Sequence, residues 1–204
     1  GVTWLYKKTQ GNNNFDLDTA GLKNGHVGPY YQVNSFLSDD NGNLYMAGGG
    51  NASLLTCWRR PIAGGFWVPD TSGLPGFEPI TYLTRELNHN MVATTADGIY
   101  YHHAGSWHNI PLPSTPGGGY LAVNSVAADN SGGIIASFNY SPPSFLYSYS
   151  YGIYCTHDYG ITWTQVGLTG VSGYGLQNDV ETTYALSGLG ICGLTSNGIA
   201  GAVA

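Results

Sequence analysis

Few side chains in this sequence could do chemistry. Cleaving a glycosidic bond takes two carboxyl groups flanking it. Asp39, Glu86 and Asp129 instead share one recurring position, the polar turn after a short apolar run. Turn chemistry selects an acid there, and catalysis has no use for the repetition. Asp179 and Glu181 lie close together, but no other group gives the pair a mechanism. In "YYHHAGSWHN", His102, His103 and His108 could place two rings on one side of a hairpin, where a transition metal would accept them. Their spacing fits no zinc pattern and no Cys or acid stands beside them, so exposed turn histidines are expected. Cys57, Cys155 and Cys192 are odd in number and share no metal-type spacing, which reads as buried free thiols. These groups supply no catalytic residue, no metal site and no cofactor.

A different constellation recurs along the chain. Tyr30, Phe77, Tyr120 and Tyr174 each follow a glycine by a few residues, and each is followed four residues on by Asn34, Thr81, Asn124 or Asn178. An aromatic face beside a small amide or hydroxyl suits sugar recognition, since ring faces stack and hydroxyls bond to amides. The architectural alternative has the aromatics wedged between repeats and the Asn side chains fastening strand starts, and repeated positions are usually architectural.

The elements that would position these residues are short strands. Glycine (31) and tyrosine (16) are abundant and charged residues make up only 9%, a composition poor in helix formers. Runs such as "NLYMA" and "GIYY", punctuated by Gly, Asn and Pro, predict strands and turns, so the chain is expected to be all-β. Its 204 residues suit a single domain. The segments "YYQVNSFLSDDNGNLYMA" and "YLAVNSVAADNSGGIIAS" superpose without a gap, Val33 on Val123 and Asn34 on Asn124. "PITYLTRELNHNMVAT" and "LQNDVETTYALS" join them, giving four copies of strand, polar turn, strand. Trp67, Trp107 and Trp163 fall in the last strand of three units, and the fourth unit lacks a Trp of its own. "GVTW", with Trp4, carries the phase that unit is missing.

"THDYGITW" (Thr156, Asp158, Gly160, Thr162, Trp163) resembles the Asp-box, or BNR, motif of sialidase-like β-propellers, with degenerate copies along the whole chain. The resemblance implies a β-propeller, and the four repeats give four blades, over residues 30–75, 76–117, 118–172 and 173–204, with residues 2–8 closing the last blade; the alternative is a chain excised from a larger ring. The resemblance also implies that Asp158 is structural: the box is a hairpin turn on the face opposite the ligand site. Asp158 would accept backbone N–H bonds, Gly160 would take positive φ, and Trp163 would pack beneath. A sialidase needs several Arg converging on a carboxylate. Only Arg59, Arg60 and Arg85 are present, the first two on opposite faces of one strand, so no enzyme is expected. In a propeller the Tyr30/Asn34 type of position would lie near one mouth of the central channel. Residues 137–152, with Tyr140, Tyr147, Tyr149 and Tyr151, break the repeat and offer rigid amphipathic contacts on that same rim, as does the irregular stretch 9–28.

A formal net charge of −6 gives no footprint for nucleic acid. No apolar run reaches the ~18–20 residues of a membrane helix. The low charge and many Tyr, Asn, Ser and Thr fit a secreted or cell-surface protein, and the chain opens without Met or a signal peptide, as a processed or trimmed chain would. Asn51 and Asn139 would be glycosylation acceptors only in a eukaryotic secretory pathway. The expected function is therefore a secreted, non-enzymatic propeller binding a carbohydrate, as a lectin does. The alternatives are a structural subunit of a self-associating extracellular assembly or filament and, third, a glycoside hydrolase. Partners would be a glycan or an extracellular protein.

Overall fold

A computed structural model describes residues 5–7, 11, 13–22, 32–49, 56–76, 78–85, 90–96, 98–128, 132–143, 149–167, 184–187, 190–195 and 198–202. The strands fall into successive antiparallel meanders. A ribbon pairs β1 (Tyr6–Lys7) with β2 (Asp16–Leu17). The first four-stranded sheet runs β3 (Gln32–Ser38), β4 (Leu44–Gly49), β5 (Cys57–Arg60), β6 (Val68–Pro69). The second runs β7 (Tyr82–Arg85), β8 (Met91–Thr94), β9 (Ile99–His103), β10 (Ser106–Ile110). The third runs β11 (Tyr120–Ala128), β12 (Ile134–Ser141), β13 (Tyr149–Thr156), β14 (Thr164–Gly167). Among the described residues the last sheet has three strands, β15 (Tyr184–Ser187), β16 (Gly190–Thr195) and β17 (Gly198–Ala202). Across sheets, the first strand β7 neighbours the first strands β3 and β11, so these three sheets are joined at their inner edges. This is a β-propeller, and each sheet is a blade.

The core lies between blades, which explains the sequence of the middle strands. Neighbouring residues of a strand face opposite ways, so a strand sandwiched between two blades must be apolar on both faces. In β4, Met46 joins Leu5, Leu22, Trp58 and Trp67 on one side. Tyr45 and Ala47 join Ile80, Leu83, Met91, Ala93 and Trp107 on the other. In β8, Met91 and Ala93 face that same cluster, while Val92 turns to Ile110, Val126, Ile134 and Phe138 in the third blade. Successive interfaces thus each have their own core.

Turns and bonds between blades set the spacing. Asp39 caps the β3–β4 turn as its recurrence predicts: Asn43 donates its backbone N–H to Oδ1 at 2.8 Å and its Nδ2 to Oδ2 at 2.7 Å. Glu86 and Asp129 lie outside the described residues. Ile80 N–H donates to Gly48 O and Val123 N–H to Ala96 O, both at 3.0 Å. These two residues are equivalent in the repeat, and each fastens the start of an inner strand to the preceding blade.

The β1–β2 ribbon repeats β5–β6 in register. Tyr6 pairs with Leu17 and Lys7 with Asp16, as Trp58 pairs with Pro69 and Arg59 with Val68. Asp18 N–H donates to Leu5 O at 2.9 Å, as Asp70 N–H donates to Cys57 O at 3.0 Å. The turns "DTAGL" and "DTSGL" then coincide: Trp67 N–H donates to Ala20 O and Trp107 N–H to Ser72 O, both at 2.8 Å. Gly21 (φ +85°) and Gly73 (φ +88°) are left-handed in these turns, and a Cβ there would lie 2.5 Å from Trp67 O and 1.9 Å from Trp107 O. The ribbon is therefore the outer half of a blade docked on the first blade as that blade docks on the second. In this register Leu5 stands where Cys57 stands and Phe15 where Trp67 stands. The phase inferred from "GVTW" is corrected accordingly: the position of the outer-strand Trp belongs to Phe15, and Trp4 itself lies outside the described residues. Tyr6–Lys7 pair with Asp16–Leu17, and the ladder expected between residues 2–8 and the fourth unit is not among those described.

Two stretches expected as irregular are partly regular. Residues 137–141 and 149–152 extend the β12–β13 hairpin, with Tyr140 opposite Tyr149, because the alternating aromatics continue the ladder. Within 9–28, Asp16–Leu17 form β2 and Leu22 is buried against the first blade.

Candidate functional site

The three inner strands enclose a cleft of about 400 Å³ lined by Asn34, Thr81, Tyr82, Ala96 and the stretch Ala122, Val123, Asn124 and Ser125. The structure thus gathers three of the four residues of the repeated amide-or-hydroxyl position; the fourth, Asn178, lies outside the described residues. A bulge explains why these side chains are available. The β3–β4 ladder shifts register between Val33 and Ser35, and the β11–β12 ladder between Val123 and Ser125. Asn34 and Asn124 are the extra residues, left out of the ladder, and bulges re-aim side chains in this way.

Each amide is anchored by one end. Asn34 Nδ2 donates to Ile80 O at 2.8 Å, which ties the first blade to the second. Asn124 Oδ1 accepts from Asn139 Nδ2 at 3.1 Å. Among the described contacts this leaves Asn34 Oδ1, an acceptor, and Asn124 Nδ2, a donor, on two sides of the cleft. Between them Thr81 Oγ1 lies 2.9 Å from Thr94 Oγ1. One side chain thus both fastens a strand and lines the cleft.

Of the repeated aromatics, Tyr120 is described. It opens β11, is 40% exposed, and its hydroxyl donates to Ala96 O, a cleft residue, at 3.4 Å. Tyr30, Phe77, Tyr174 and Tyr147 lie outside the described residues. Tyr149 is placed in β13 by its backbone, at the end of the sheet where Tyr120 opens β11. Tyr151 stacks on Tyr154 with centroids 5.4 Å apart and donates its hydroxyl to Ser114 O at 3.1 Å. Burial, with the nearby Tyr151 hydroxyl, pushes the Tyr154 hydroxyl up to about 12.

The turn of residues 156–163 sits at the other end of β13. Thr156 Oγ1 donates to Asp158 Oδ1 and accepts from Gly160 N–H, both at 2.8 Å. Thr162 closes the turn, its N–H on Asp158 Oδ1 at 2.8 Å and its hydroxyl on Oδ2 at 2.6 Å. The bonds from Thr162 hold the Asp158 carboxyl below its usual range. Both oxygens are thus used within the turn. Tyr159 (φ +54°) and Gly160 (φ +87°) take left-handed backbone, and a Cβ on Gly160 would lie 2.5 Å from Pro111 O. Trp163 Nε1 donates to Pro111 O at 2.8 Å and the ring meets Phe138 edge-on at 5.6 Å.

Of the three histidines expected to be exposed beside a turn, His103 and His108 are exposed and His102 is not. His102 is in β9, with its side chain 14% exposed and its Nε2 3.3 Å from Asp70 Oδ2. Its ring meets Tyr45 and Trp107 edge-on. Strand alternation turns His102 into the interface with the first blade. His108 stacks on Tyr101 at 5.1 Å and lies 3.0 Å from Ser106 Oγ, and His103 ends β9 exposed. Among the described residues no cluster of His, Cys, Asp and Glu could hold a metal. Cys57 and Cys155 are buried thiols, and burial pushes the Cys57 thiol up. No described helix is long and apolar enough to cross a membrane.

Sequence reasoning missed the clasp between blades. Arg60 forms an ion pair with Asp18, and both side chains are largely buried, 12% and 7% exposed. Arg60 lies opposite Leu44, His102 opposite Met91 and Thr156 opposite Ile134, each across from the first residue of its blade's second strand. Aligning "DTAGL" with "DTSGL" was the available signal.

No protein-family profile matches the chain, and none of the curated proteins matches it in sequence. Among solved structures, the extracellular domain of BT4673 from B. thetaiotaomicron is similar over 97% of this chain, with TM-score 0.58 and 13% identity. A second structure of that domain covers the same share at TM-score 0.44 and 16% identity. Virginiamycin B lyase from Staphylococcus aureus does so at TM-score 0.39 and 11% identity. The chain spans 24% of the first of these proteins, 31% of the second and 72% of the third. The likeness is one of fold.

Proposed function

We propose that this chain is a non-enzymatic, extracellular ligand-binding propeller whose inner-strand cleft holds a carbohydrate. The observation that carries the reading is the convergence of Asn34, Thr81 and Asn124, equivalent residues of three blades, on one cleft with Tyr120 at its edge. Two bulged amides keep one polar end each for a ligand, and Tyr120 offers a ring face for stacking. A volume of about 400 Å³ accommodates one or two sugar rings. The absence of enzymatic activity is part of the proposal: in the β3–β4 turn, Asp39 is held by Asn43 and Asp40 is paired with Arg85. A glycan array probed with wild type and Tyr120→Ala, followed by titration calorimetry, tests it. Binding by wild type that falls at least about tenfold in the variant is expected, since one aromatic contact of this kind is worth ~1 kcal/mol or more. An array on which both proteins are silent, or equal, defeats the proposal.

A second reading, a self-associating structural subunit, is favoured by one observation. Phe15, Leu17, Phe66 and Val68, in or beside the outer edge strands β2 and β6, are 38–67% exposed. Such edges invite pairing with another copy. Sedimentation of the wild type over a hundredfold range of concentration, beside Leu17→Lys and Val68→Lys, decides it: a monomer throughout removes the reading.

A further inference from the structure

The cleft's walls go further than a sugar in general. We infer that the site is specific for uncharged glycans and excludes sugars bearing a carboxylate, an inference that rests on the cleft being a carbohydrate site. None of the described residues lining the cleft is charged. Its two open polar ends are a carbonyl oxygen, Asn34 Oδ1, and an amide, Asn124 Nδ2. A hydroxyl satisfies both, because it donates to the first and accepts from the second. A carboxylate accepts only, so it would face Asn34 Oδ1 without a proton to share.

A carboxylate drawn into this cleft would also lose its hydration with no cation to replace it, and an unpaired ion is costly to desolvate. Recognition of a carboxylate favours a guanidinium in bidentate geometry. The cation on the three inner strands is Arg85, at the far end of β7, and it is engaged 2.6 Å from Asp40 Oδ1. Arg60 is committed to Asp18 on the outer half of the first blade. The formal net charge of −6 opposes an anion over longer range as well. The resemblance to sialidases thus extends to the turn motif and stops short of an acidic ligand.

The test is calorimetric titration of the folded protein, checked by circular dichroism, with a methyl hexoside and the matching methyl uronoside, which differ in one carboxylate. Ala96→Lys is the companion variant. Ala96 is an exposed residue of the cleft whose fold-bearing contact is its backbone carbonyl, so the substitution adds a cation without removing a bond. The expected result is wild-type binding of the neutral hexoside at least about tenfold tighter than of the uronoside. Ala96→Lys should narrow that gap by about tenfold, the effect of one charge-assisted hydrogen bond. A uronoside that binds wild type as tightly as the hexoside overturns this inference and leaves the carbohydrate reading standing. If panels of neutral and acidic sugars both fail to bind, the carbohydrate reading falls and this inference with it.

Discussion

The carboxylate of Asp18 and the guanidinium of Arg60 form an ion pair buried between the β1–β2 ribbon and β5. One interface further on, Asp70 and His102 occupy the same two positions. Removing one member of such a pair strands the other charge in a dry interface, which costs ~3–5 kcal/mol. Arg60→Ala is therefore expected to lower unfolding stability by about that amount. Asp18→Ala/Arg60→Ala should cost clearly less than the sum of the single changes, as measured by urea denaturation. Additive losses would show that the two groups do not meet.

Gly73 and Gly64 both have positive φ, +88° and +77°, but their surroundings differ. An added methyl meets nothing within 4 Å at Gly64 and lies 1.9 Å from Trp107 O at Gly73. Gly64→Ala should cost the left-handed backbone penalty alone, about 1–2 kcal/mol. Gly73→Ala adds a clash with backbone and is expected to cost ~1–3 kcal/mol more. Thermal melts of the two variants side by side check the ordering; equal losses would mean that the "DTSGL" turn is not docked on Trp107.

Asp158 gives an acid-dependent term with a definite sign. Its folded carboxyl lies below its ordinary value of 3.8, held by Thr162. The stability it contributes is thus fully present above that value and drains away as pH falls through the lowered folded one. Melting temperatures from pH 7 to 2 should show a steeper acid decline for wild type than for Asp158→Asn. Parallel curves would place the acid sensitivity elsewhere.

Trp163 should matter to folding and leave the cleft alone. Trp163→Phe keeps a ring against Phe138 and loses the bond to Pro111 O. A loss of ~1–2 kcal/mol is expected, with ligand affinity of the folded protein unchanged. Loss of binding without loss of stability would put the 156–163 turn on the side of the proposed ligand site.

What the sequence made legible follows from how each feature is encoded. Asn34 and Asn124 recur in the same words, "VNS", and the structure places both at the same bulge. The Asp39 turn was readable because an acid two or three residues before Gly is a local signal. The clasp was not, because its positions carry Arg60, His102 and Thr156, three side chains related by place and unlike in type. The ribbon was misphased for a similar reason: its strands have two residues each, too few to show alternation, and Trp4 offered a more conspicuous match than Phe15. His102 was misread because a pair of histidines beside a turn looks solvated until strand alternation assigns one to an interface.

The bulges at Asn34 and Asn124 separate two kinds of selection. A residue inside a ladder between packed blades answers to its neighbours on both faces, so its identity is constrained by assembly. A residue excused from the ladder is held by one side-chain bond, Asn34 to Ile80 O and Asn124 to Asn139, and its other polar end answers to the cleft alone. On the proposed carbohydrate reading, duplicated units carrying such a position diverge in ligand preference one blade at a time, and directed evolution on this scaffold should find its useful variants at residues 34 and 124 rather than along the strands beside them.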